Sequence, residues 1–168
     1  MHIFERRFVN INMKDEYTIT SSTIAILPHF HPFLQTRVLE WDGEYYVKEK
    51  PFYIINNNCL HYGASYEGRR EAVIHRTNYK QKTPILLSES QELIIIPTHS
   101  PEHMDCVWIM FHQIKKITST PAGSTIVFHN GEELPLPISA EVIHQQIQKA
   151  SVIHSLFCTN QMFSFSFN

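Results

Sequence analysis

Glycine is scarce in this chain: there are five in 168 residues, and no G-x-G-x-x-G or G-x-x-x-x-G-K-[ST] can be made from them. The usual backbone cradles for dinucleotides and nucleoside triphosphates are therefore absent. Gly63-Ala-Ser65-Tyr-Glu-Gly68 has the look of a nucleophile elbow. It is G-x-S-x-x-G, one residue too long, and a helical pattern precedes it where the elbow needs a strand, so a serine hydrolase is not supported. Cysteine is sparse too. Cys59, Cys106 and Cys158 form no C-x-x-C, and with three of them at least one cannot pair within the chain. Reduced thiols in a cytoplasmic protein are the economical reading. No apolar run approaches the roughly 18 residues of a membrane span, and the start M-H-I-F-E-R-R-F lacks the apolar core of a secretory signal. A soluble cytoplasmic protein with no membrane partner is expected.

A strong charge of either sign is also missing. The formal net charge is -2, with 43% apolar and 18% charged residues, which is ordinary globular composition. That excludes a wholesale polyanion binder but not a local nucleic-acid surface, because phosphate attraction depends on clustering within roughly 10 Å. At this length a single domain burying about 70% of its unfolded surface is expected.

What is present is concentrated between Cys59 and Lys82. Residues 69–82 hold Arg69, Arg70, Arg76, Lys80 and Lys82 against one acid, Glu71, and residues 72–88 contain no Asp or Glu. Arg forks and long Lys side chains suit phosphates, and Ser65, Tyr66, Asn78 and Tyr79 add neutral donors. A helix starting at Ser65 could itself face a phosphate. The competing reading is a solvated helix face whose Arg69 and Arg70 pair with Glu67, Glu71 or acids elsewhere.

Along the chain, residues 1–16 are polar and without period and are expected to form a poorly ordered extension; Met13 is an alternative start. A strand is expected at 22–27, stopped by Pro28. Asp42-Gly43 and Asn130-Gly131 lie between β-rich runs and predict two hairpins, and Pro135 and Pro137 place the second return strand at an edge. Pro51 opens a helix with Phe52, Ile55, Cys59 and Tyr62 on one stripe and Gly63 at its end, in competition with a strand over 52–55. Ser65 caps a second helix to Arg76. Strands follow at 84–87 and 91–96, and a long one at 105–117. Ser139 caps a helix with Ile143, Ile147, Ala150, Ile153 and Phe157 as its apolar stripe. Trp41 and Trp108 fall on strands as packing residues, and Cys59 falls in the core. The fold class is α+β: a mainly antiparallel sheet with two hairpins, a helical insertion near 51–76 and a C-terminal amphipathic helix, with a single domain over 17–157 and a short tail over 158–168.

Eleven histidines raise the question of metal. His29 and His31 are bracketed by Pro28 and Pro32, and Pro101 interrupts the i, i+4 geometry of His99 and His103 near Cys106, so neither pair makes a specific metal motif. No cofactor, metal site or catalytic constellation is expected. A histidine-rich small-molecule or metal-binding regulatory module is the alternative from a different class.

Several spaced motifs resemble the competence transcription factor family ComK of Gram-positive bacteria. They are T-I-A-I-L-P at 23–28, C-L-H-Y-G-A-S-Y-E-G-R-R at 59–70, P-I-L-L at 84–87, I-I-I-P-T at 94–98, C-V-W-I at 106–109 and F-H-N-G-E-E-L-P-L-P-I-S at 128–139. The resemblance spans about 17–157. It implies a non-enzymatic activator of DNA-uptake genes that binds double-stranded DNA at paired A/T-rich promoter boxes, through the minor groove and as a homo-oligomer, dimer or higher. Narrow A-tract grooves are strongly negative and accept Arg and Lys, which suits the basic run. Expected DNA-binding residues are Arg69, Arg70, Arg76, Lys80, Lys82, Ser65 and Tyr66. The family likeness also implies a Clp-protease adaptor as partner. Against the family pattern the chain carries an extra N-terminal stretch and a shorter, F-S-F-S-F-N-ending C-terminus, which puts that regulated turnover in question. A homologue without DNA-binding activity is the second alternative.

Overall fold

The computed structural model describes residues 13–158; the expectations for residues 1–12 and 159–168 lie outside the described residues. Among the described residues ten strands, three helices and one 3-10 turn form an α+β fold. In chain order they are β1 (Met13–Lys14), β2 (Thr23–Pro28), β3 (Thr36–Glu40), β4 (Gly43–Val47), α1 (Pro51–His61), α2 (Tyr66–Thr77), β5 (Ile85–Ser88), β6 (Leu93–Pro97), β7 (Trp108–Met110), β8 (Ile114–Thr120), β9 (Gly123–Phe128), β10 (Glu133–Leu136) and α3 (Ala140–Phe157). The large sheet runs β1-β4-β3-β2-β7-β6-β5, antiparallel except for the β1/β4 pair, and the small sheet runs β10-β9-β8.

The large sheet is covered on both faces, which explains why its inner strands read as unbroken apolar runs such as I-L-L, L-I-I-I and W-I-M. Side chains alternate between the faces. Ile85, Leu87, Ile95, Trp108 and Met110 join Ile54, Ile55 and Cys59 of α1 on one side. Opposite, Leu86, Ile94 and Ile96 meet Ala150 and Ile153 of α3, while Val107 and Ile109 meet Ile126 and Phe128 of the small sheet. α1 is tied to the incoming chain by buried Asn58. Its amide donates to the carbonyl of Tyr17 at 2.9 Å, and its oxygen accepts from the Ile19 N–H at 2.8 Å.

Helix signals are realised as expected. Pro51 stands at the start of α1. Beyond its end, Gly63 at φ +105° and Ala64 return their N–H groups to Leu60 and Cys59, a Schellman closure that favours glycine. Ser65 Oγ accepts from Gly68 N at 3.0 Å, and Ser139 Oγ from Val142 N at 3.3 Å. Pro135 lies on β10, an edge strand.

Four expectations need correction. The strand expected over 105–117 is broken: β7 ends at Met110, a 3-10 turn covers Phe111–Gln113, and β8 belongs to the other sheet. The turn lets the chain change sheets. Gln113, buried there, donates to Ser21 O at 2.7 Å. In the first hairpin the closing pair is Glu40 with Gly43, so the turn residues are Trp41 and Asp42. Neither has positive φ, which rules out the type I′ turn inferred at Asp42-Gly43. The Trp41 N–H bonds Ser22 O at 2.9 Å, and its side chain is 45% exposed rather than on a strand. Met13 and Lys14, read as extension, form β1. A further hairpin, β8/β9 around Pro121 and Ala122, carried no Asn-Gly or Asp-Gly signal.

Asn58→Ala leaves a buried N–H and a buried carbonyl without partners. It should lower stability by roughly 2–4 kcal/mol, read as a fall in urea midpoint at unchanged m-value.

Candidate nucleic-acid interface

The basic residues singled out in the sequence divide into three sets. Arg69 points inward. Its Nη1 donates to Leu86 O on β5 at 3.0 Å, and its Nη2 donates to Tyr62 O at 2.8 Å and to Cys59 O at 3.5 Å. One guanidinium thus joins α2 to the last carbonyls of α1, where a cation is favoured by the helix dipole, and to the outermost strand of the sheet. Tyr66 is buried too, edge-on to Phe52 with ring centroids 5.0 Å apart, and burial pushes its phenol up to about 12. Ser65 is exposed, but its hydroxyl is engaged as the α2 cap. α2 has 12 residues, about 18 Å of rise, so Ser65 and the following Glu67 sit at the far end of the helix from Asn78.

The second set gathers around the connection from α2 to β5. α2 ends at Asn78 in the left-handed region (φ 63°), and Lys82 is left-handed as well (φ 45°). Between them the loop is held from both sides. Arg70 Nη2 of α2 donates to Lys80 O at 3.1 Å. From α3, Lys149 Nζ donates to Gln81 O at 2.9 Å, and buried Gln146 donates to Lys82 O and Pro97 O at 2.8 Å each. Inside the loop, Thr83 Oγ1 donates to Tyr79 O at 2.6 Å, and Thr77 Oγ1 accepts the Tyr79 N–H at 3.1 Å. Lys80 and Gln81 are exposed and Lys82 is half-buried, on a backbone with little freedom left. Arg76 stands apart. It donates to Leu156 O at 3.1 Å and lies 4.9 Å from the Phe157 ring, closing α2 onto the end of α3.

Electrostatics favours an anion at the loop. Arg70, Lys80, Lys82 and Lys149 converge there, and neither residues 72–88 nor 142–158 contain a carboxylate. Burial, and then the nearby charge of Lys82, hold the Lys149 ammonium below the ordinary lysine value. Burial, then His103, lower His99 against the opposing charge of Asp105, and Lys82 adds a smaller push downward. Like charges held together in this way gain from an arriving phosphate.

Sequence reasoning missed Lys149 and Gln146, because α3 lies some seventy residues downstream of α2. One signal was available: Gln146 falls on the apolar stripe of α3, three residues after Ile143, where a polar residue calls for a buried partner. The histidine pairs are packed rings, His29 on His31 at 5.7 Å and His99 on His103 at 4.7 Å. Among the described residues no three His, Cys, Asp or Glu side chains assemble a metal site. Burial pushes the Cys59 thiol up to about 11 and raises Cys106, the behaviour of core residues.

The arrangement is an α+β scaffold whose helices hold a short cationic loop at one corner of a sheet. The chain belongs to the ComK family, whose family model, described as ComK protein, matches residues 14–161. It is similar to the competence transcription factor of Bacillus subtilis (strain 168), with 29% identity over 145 residues, covering 85% of this chain and 76% of that protein. No solved structure matches the chain. Among the described residues no helix is long and apolar enough to cross a membrane.

Arg69→Ala removes hydrogen bonds to three carbonyls and should cost roughly 2–3 kcal/mol in chemical denaturation. Arg69→Lys should recover only part, since an ammonium cannot fork between Leu86 and Tyr62.

Proposed function

We propose that the chain is a cytoplasmic, non-enzymatic transcriptional regulator of competence that binds A/T-rich double-stranded DNA through the corner formed by Arg70, Lys80, Lys82 and Lys149, with Arg76 along the flank. The observation that carries this reading is the clamped loop 78–83: two lysines on a backbone fixed by two helices, with no carboxylate in the chain segments 72–88 and 142–158. Arg69 and Tyr66 serve the interface from behind by fixing α2, and Ser65 by capping it.

Shape supports the minor groove. A helix with its side chains is about 10–12 Å across, whereas the minor groove is about 6 Å wide and narrower still in A-tracts. All three helices pack against sheets or one another, and what projects at the basic corner is a loop carrying long cationic side chains. Such a loop reads groove width and potential more than base edges, which suits A/T-rich boxes. Paired boxes further call for two copies bound together.

Fluorescence anisotropy on a duplex with paired A/T boxes tests the reading. Lys80→Ala with Lys82→Ala should reduce the log–log salt slope by about two and weaken binding at physiological salt, with the fold intact. Replacing the boxes' A·T pairs by I·C keeps the minor-groove pattern and changes the major-groove one, so binding should persist. Unchanged slope and affinity in the double variant would sink the assignment.

A further inference from the structure

Lys149 has two roles at the basic corner, hydrogen-bond donor and cation, and only the second needs its charge. Its Nζ donates to Gln81 O at 2.9 Å and lies 5.8 Å from the centre of the Tyr79 ring, so the amine is tethered to the loop. It is half-buried and makes no ion pair among the described residues. Its own helix offers none, because the positions one turn to either side are Gln145, Gln146, Val152 and Ile153. The neighbouring partners are cations. Arg70 Nη2 holds the carbonyl next to the one that Lys149 holds, that of Lys80, and the following carbonyl, that of Lys82, is held by Gln146. Burial, and then the charge of Lys82, both disfavour the Lys149 ammonium. On losing its proton the amine keeps an N–H for Gln81 O and gains a lone pair.

We propose that Lys149 is an acylation site whose reagent is an acyl phosphate, the mixed anhydride of a carboxylic acid and phosphoric acid. The phosphate end of such a reagent is drawn to the cations that attract a DNA backbone, Arg70, Lys80 and Lys82, and its carbonyl carbon is thereby brought to the one amine tethered among them. The Nζ lone pair attacks that carbon. A C–N bond forms, the C–O bond to the phosphate breaks, and its electron pair leaves on the phosphate oxygen, which takes up the proton that the nitrogen gives off. The products are an Nζ-acyl-lysine and inorganic phosphate, with nothing oxidised or reduced. The new amide still has one N–H for Gln81 O but carries no charge, so the loop keeps its clamp while the corner loses one of its four cations. That consequence deepens the DNA-binding reading and rests on it. The reactivity itself stands on the arrangement around Lys149.

Peptide mass spectrometry of the folded full chain after exposure to acetyl phosphate is the test, with the exposed Lys50 and Lys116 as internal references. Lys149 should be acetylated at least about fivefold faster than either reference. Inorganic phosphate should slow Lys149 and leave the references unchanged. The N-hydroxysuccinimide ester of acetic acid, which has no phosphate to dock, should show no preference for Lys149. A rate at Lys149 no higher than at the references, or a preference that inorganic phosphate does not reduce, would overturn the proposal. DNA binding is scored separately, by anisotropy on the A/T-box duplex. Lys149→Gln should lower the log–log salt slope by about one, whereas Lys149→Arg should keep the slope and resist acetylation. Selective acetylation beside a wild-type chain that does not bind the duplex would uphold the modification site and remove the DNA reading.

Discussion

One guanidinium fixes the relation between the parts that matter most. Arg69 leaves the surface to reach carbonyls on two other elements, Leu86 on the outermost strand and Cys59 and Tyr62 at the end of α1. Besides Arg69, α2 is held by its two buried side chains, Val73 and Tyr66, and at its far end by Arg76 against α3. With Arg69 in place the helix has one seating, and everything beyond its C-terminus inherits that seating. A charge-assisted bond to a carbonyl is worth about 1.5–3 kcal/mol and is strongly directional, so it fixes orientation as well as affinity.

The basic corner is a consequence. Once α2 is seated, Asn78 turns the chain, and the loop is caught between Arg70 on one side and Gln146 and Lys149 on the other. Lys80 and Lys82 then share a small region with Lys149, and no carboxylate from residues 72–88 or 142–158 relieves their repulsion. That concentration of positive charge would favour an anion. Rigidity matters equally, because the entropy of ordering the loop is already lost before any ligand arrives.

Much of the scaffold is legible in the sequence because local chemistry decided it. Pro51, Gly63, Ser65 and Ser139 mark helix boundaries whose capping bonds are those the residue types prefer, and the short β-rich segments at 84–87 and 91–96 read as strands. What is not legible depends on distant partners. The 105–117 run alternates well enough for one strand, yet it must serve two sheets, and the break is fixed by Gln113 reaching Ser21. The Asp42-Gly43 signal locates the first hairpin but not its register, because the Trp41 N–H is drawn to Ser22 O. Within the site, composition picks out residues 69–82 as one basic run, while tertiary structure sorts them: Arg69 inward, Arg76 onto the end of α3, and Arg70, Lys80 and Lys82 onto one loop. Lys149 joins them from a helix that carries no basic cluster of its own.

Backbone amide chemical shifts during titration with an A/T-box duplex test most directly whether the seated loop is the contact surface. The largest perturbations are expected at residues 78–83, with Arg70 and Lys149 next, and little change at Lys115 and Lys116 on the exposed side of β8. Perturbations centred on β8, with residues 78–83 unmoved, would contradict the claim.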